Sequence, residues 1–175
     1  MNLKTIKLIA AINIFLISFP AHFAYSFLPN TLTSILFPVN ESIFEHMKII
    51  FTSTLIYGLI DYTLLKLNNI NFNNFIFQLF FTSFMSIPIF LIIYLPIRFI
   101  IGEYLILTLL LLFITYLISS LISYNILKSV SIPILNIISI PLIIIIYLIF
   151  SYFTYNPQKN FFFLDTLTNS YGILK

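Results

Sequence analysis

The 175-residue chain has no cysteine, no tryptophan and few charges. Without cysteine there is no disulfide, no thiolate nucleophile and no zinc–thiolate centre, and the redox compartment is not fixed. Without tryptophan, any aromatic belt at a membrane surface falls to the eleven tyrosines and some of the phenylalanines. Charged residues make up 7% of the sequence, for a formal net charge of +3. No basic stripe exists to follow a phosphate backbone, so nucleic acid is not an expected partner.

What is present is hydrocarbon. Hydrophobic residues account for 61% of the chain, and the mean hydropathy is +1.10. A water-soluble fold leaves too much of its area in solvent to hide that composition. Long apolar runs with little charge are the mark of a chain that crosses a lipid bilayer.

Residues 1–7 form a short basic start before an apolar run over 8–28, which Pro29 and Asn30 end. The run reads as a spanning helix, because FPAHFAYS places His22 and Phe23 where signal cleavage wants small residues. Residues 29–41 contain Pro29, Asn30, Pro38 and Asn40 and predict an irregular or re-entrant connection. The second span covers 42–66, about 37 Å at 1.5 Å per residue. The third covers 75–98, and its Pro88 and Pro96 predict kinks or an early end. The fourth covers 104–127, closed by Lys128, and the fifth covers 132–155, with Pro133 near its start and Pro141 inside. The expected fold is all-α, a polytopic transmembrane bundle of about five helices over 1–155, followed by an interfacial tail over 156–175. No internal repeat stands out, so an inverted-repeat transporter gains no support.

Orientation rests on the basic residues. With the N-terminus in the cytoplasm, Lys4, Lys7, Lys66 and Lys128 are inside and Lys48, Arg98, Lys159 and Lys175 outside, an even division. Acidic neighbours retain Lys48 and Arg98 in a folded site, and Lys175 ends the tail. Discounting those three favours a cell-membrane protein with a cytoplasmic N-terminus.

The scarce charges gather in FPVNESIFEHMKI, residues 37–49, where Glu41, Glu45, His46 and Lys48 lie within eight positions. Alternating spans bring this stretch to the same membrane face as His22, Arg98, Glu103 and the tail. Asp61, fifteen residues beyond His46, lies about 22 Å deeper along its helix and is expected to snorkel toward the opposite interface beside Lys66. Two readings of the cluster stand. In the first, Ser42-Ile43-Phe44-Glu45 is a capping box, Asn40 an alternative cap, Glu41 a partner of the helix dipole, and Lys48 an ordinary ion-pair partner of Glu45. In the second, the stretch is a site. Glu41 and Glu45 share a helical face if the helix starts early, and with His46 and the facing His22 they make a Glu/Glu/His/His set for zinc or another divalent ion. Glu45, His46 and His22 are then also the candidate catalytic groups, a histidine serving as general base near neutral pH. A bound ligand would meet Asn40, Glu41, Arg98 and Glu103, the Arg98 fork suiting an anionic head group, unless Arg98 and Glu103 simply pair across their turn. Serines and threonines within the spans read as interhelical contacts, and the Phe-rich tail as an interfacial anchor.

FPVNESIFEHMKI resembles the N-E-S-[VI]-[WF]-E-H-[LM]-K signature of DUF6512, a family of small bacterial integral membrane proteins. His22 and a terminal pattern of Pro157, Phe163, Asp165, Thr168, Tyr171 and Gly172 are similar to that family as well. Phe44 stands where the family often has tryptophan. The resemblance spans essentially the whole chain and implies a membrane location without an activity. Three classes of function follow for a chain whose first partner is the lipid bilayer: a component that binds a small polar ligand or ion, an accessory subunit that docks a partner membrane protein, or an intramembrane hydrolase or transferase acting on a lipid or peptide. The absence of a complete catalytic constellation favours the first two.

Overall fold

The computed structural model describes residues 1–173 and is built of six α-helices and one short hairpin. Among the described residues, five helices are long and apolar enough to cross a membrane: α1 (Leu3–Phe27), α3 (Ile43–Leu67), α4 (Phe75–Ile101), α5 (Leu105–Lys128) and α6 (Pro133–Tyr155). The sequence places these spans correctly. It places the first start too late: Asn2 caps α1 by accepting the Thr5 amide, so Lys7 lies inside the helix rather than ahead of it.

The connection after α1 holds a short helix, α2 (Thr31–Leu36), where sequence alone predicts an irregular or re-entrant connection. Its start is a reciprocal cap: the Asn30 side chain accepts the Thr33 amide at 3.0 Å, and the Thr33 hydroxyl accepts the Asn30 amide at 3.1 Å. Its C-terminal end is closed by side chains of α3. Lys48 Nζ donates to the Ser34 carbonyl at 2.7 Å, and the Thr52 hydroxyl donates to the Leu36 carbonyl at 2.7 Å.

Pro88 and Pro96 do not end α4, which continues through both to Ile101 and stops at Gly102, whose φ of +99° suits a glycine. Helix α3 is central, packed between α1 and α4, while α5 joins α1 to α4 and α6 covers α4 from outside. Gly58 permits the close approach of α3 to α4, since a Cβ there would lie 2.6 Å from the Leu79 side chain. Some of the small polar residues do cross between helices, as in Ser86–Ser119 at 2.7 Å and Thr52–Tyr147 at 3.0 Å. Others bond the carbonyl four residues back in their own helix, as Thr54 and Thr115 do.

The tail folds back on the bundle. Strands β1 (Leu164–Asp165) and β2 (Ser170–Tyr171) pair antiparallel around a turn held by the Asp165 carboxylate, which accepts the Leu167 amide and the Thr168 hydroxyl. The Phe162 carbonyl accepts the Phe44 amide at 3.0 Å, satisfying a free donor of the first turn of α3. Phe44 stacks on Phe163 at 4.7 Å and meets Phe150 and Phe153 edge-on.

Candidate functional site

The end of α1, the start of α3, the α4–α5 turn and the tail meet at one end of the bundle, as alternating spans require. Ser42 is the N-cap of α3 and accepts the Glu45 amide at 3.3 Å. The return half of the predicted box is not made, because the Ser42 amide donates instead to Asn40 Oδ1 at 2.9 Å. This cap places Glu41 ahead of the helix and Glu45 within its first turn. The two carboxylates therefore do not share a face, and the expected Glu/Glu/His/His set divides in two.

Glu45 turns inward. It is 2% exposed, pairs with Lys48 at 2.6 Å, accepts the Thr154 hydroxyl at 2.8 Å, and accepts the Val39 amide at 3.0 Å. Its two oxygens join α3, α6 and the preceding loop, and Lys48 carries the link on to α2. A buried pair with both carboxylate oxygens and the ammonium hydrogen-bonded is the arrangement that offsets the cost of removing charge from water. Asn40 is likewise committed, since its amide also donates to the Gly172 carbonyl at 2.9 Å.

Glu41 turns toward the histidines. His22 Nε2 lies 3.4 Å from Glu41 Oε1, and His46 Nε2 lies 3.3 Å from Oε2. The two rings sit 5.3 Å apart, and one ligand atom from each of the three residues falls within 4.8 Å of the others, a spacing able to hold a metal ion. The tautomer of His46 is set by its backbone. Nδ1 lies 2.9 Å from the Ser42 carbonyl, which only accepts, so Nδ1 is the donor. Nε2 then faces the Glu41 carboxylate either as an imidazolium N–H or with its lone pair toward an intervening cation. The bond to His46, and the charges of both imidazoles, hold the Glu41 carboxyl below its ordinary range despite partial burial.

Arg98 and Glu103 pair across the turn, the simpler of the two expectations, with the two terminal guanidinium nitrogens engaged at 3.0 and 3.3 Å. Tyr94, not singled out by sequence, joins them by accepting from Arg98 at 2.8 Å. Its only signal is its position one turn before Arg98. A cavity of about 40 Å³ is lined by Glu41 and His46 on one side and by Phe90, Tyr94, Arg98 and Glu103 on the other, with room for small ligand atoms or water. Asp61 does not snorkel toward Lys66. It is buried and paired with Lys7 of α1, in the half of the bundle away from this cluster.

These features define a class: a multi-pass membrane protein of five apolar spans, with an imidazole–carboxylate cluster where the helix ends converge. The chain belongs to the family of unknown function DUF6512, whose model matches residues 2–173. No curated protein and no solved structure matches it.

Proposed function

We propose that the protein is a membrane-embedded binding component that holds a divalent metal ion through His22, Glu41 and His46, with the adjoining cavity taking a small polar ligand. The observation that carries this reading is the Glu41 carboxylate held between two imidazole Nε2 atoms at 3.4 and 3.3 Å. Ligands about 2.0–2.1 Å from a tetrahedral zinc lie roughly 3.3–3.4 Å apart, and each imidazole Nε2 stands at about that distance from one of the two Glu41 oxygens. The Nδ1–H of His46 on a backbone carbonyl is the outer hydrogen bond that metal-bound imidazoles use to fix their orientation. One ion would engage both Nε2 atoms and the carboxylate together.

The protein sits in the cell membrane with its N-terminus in the cytoplasm, the cluster outside, and the tail along the outer interface. Lys48 and Arg98 support this orientation, because each is matched by a carboxylate. Lys7 is matched by Asp61 in the same way, and the other basic side chains of the spans and loops, Lys4, Lys66 and Lys128, then lie on the inner face, against Lys159 outside among the described residues. A second reading is favoured by the shared cavity wall: a ligand seated beside Glu41 and His46 would reach a bound metal, and three protein ligands are the usual number at a catalytic zinc. In that version the chain is a hydrolase or transferase acting on a lipid or peptide.

Zinc titration of the detergent-purified chain by calorimetry tests the site. One saturable site is expected, abolished in Glu41→Gln and His46→Ala and weakened in His22→Ala. Binding that survives both of the first two substitutions contradicts the proposal.

A further inference from the structure

The other half of the bundle holds a second polar site that the metal reading does not use. Lys7 of α1 pairs with Asp61 of α3, both nearly sealed from solvent. Beside them is a cavity of about 20 Å³, lined also by Tyr57, Gln78, Ser120 and Ser123, large enough for one water-sized occupant. Asp61 Oδ1, Tyr57 Oη, Gln78 Oε1, Ser120 Oγ and Ser123 Oγ are all buried and have no hydrogen-bond partner among the described residues. These residues are each 4% exposed or less. Unpartnered oxygens are costly at this depth, and here five such oxygens belong to residues of three helices lining one small space.

We propose that this cavity is a binding site for a small monovalent cation of the sodium type, which takes the place of the Lys7 ammonium at Asp61. The charge balance selects the valence. Asp61 is the one carboxylate of the lining, and the amide and hydroxyl oxygens are neutral, so a single positive charge is matched and a divalent ion would leave an excess in low dielectric. Hard oxygen donors and a water-sized space suit sodium. Lys7 has somewhere to go: it lies four residues inside the start of α1, about 6 Å along the axis, and its flexible stem reaches the nearby aqueous face with the ammonium still charged. The charged and titratable groups around the cavity are Lys7, Asp61 and Tyr57, and α4 and α5 present only neutral side chains to it.

Radiolabelled sodium binding to the full chain in detergent, at constant ionic strength held with choline chloride, tests this. Saturable binding is expected, with potassium competing weakly. Lys7→Ala should tighten it at least about tenfold, because the competing unit charge is removed. Gln78→Ala and Ser123→Ala should each weaken it several-fold while keeping the ion pair, and Asp61→Asn should abolish it. Absence of sodium-specific binding in the wild-type chain, which would mean that the cavity holds water alone, overturns the proposal. So does a Lys7→Ala variant that is folded but binds no more tightly.

Discussion

Glu41 and Glu45 are four residues apart and do different things. Glu45 is a buried structural anion with Lys48 as its counter-charge. Glu45→Gln leaves that ammonium buried and unpaired, so a loss of about 3–5 kcal/mol is expected, read as a large drop in the thermal unfolding midpoint in detergent. Glu41 is partly exposed, and Glu41→Gln should leave the midpoint nearly unchanged at neutral pH while removing metal binding. The depressed Glu41 carboxyl also sets a pH signature. A lowered folded value stabilises the fold above about pH 4.5 and loses that contribution as pH falls through it. The small stability difference between wild type and Glu41→Gln should therefore shrink on acidification, as followed by unfolding at a series of pH values. Metal affinity should fall with it, because protons compete for the same imidazoles.

Among the elements, the long spans were legible because apolar length and sparse charge are local properties of each segment. Helix α2 was missed because its six residues carry no span-length pattern. Its one local signal, Asn30 followed three residues later by Thr33, is a cap signature that the neighbouring prolines obscured. The candidate site was half legible. The stretch around Glu41 and His46, and the approach of His22, follow from alternating spans. The parting of Glu41 from Glu45 depends on where α3 begins, which one serine decides. The Lys7–Asp61 pair joins residues 54 apart in sequence, and the choice between snorkelling and pairing is tertiary. The tail offers an element-scale test. Gly172 has φ of +68°, and a Cβ there would lie 3.0 Å from Pro157 Cγ and 3.2 Å from the Thr154 carbonyl oxygen. Gly172→Ala should cost about 1–2 kcal/mol in backbone strain alone and loosen the hairpin from the bundle, seen as faster proteolysis within residues 157–173.

At the scale of the whole molecule, the bundle has two polar centres at opposite ends of a hydrocarbon scaffold, one opening at the rim where the tail folds over and one sealed among α1, α3, α4 and α5. The proposed topology is testable without background, since the chain has no cysteine of its own. Lys159→Cys should react with a membrane-impermeant maleimide in intact cells, and Lys66→Cys only after permeabilisation. The reverse pattern would put the cluster on the cytoplasmic side. Lys175 lies outside the described residues.

The central claim is that His22, Glu41 and His46 form a metal centre. Elemental analysis of the chain, purified in mild detergent without added metal or chelator, measures it most directly. Close to one equivalent of a divalent transition metal per chain is predicted for the wild type, and a trace amount for a folded Glu41→Gln variant. Equal metal content in the two, or a metal-free wild type that also fails to take up zinc when it is supplied, would contradict the account.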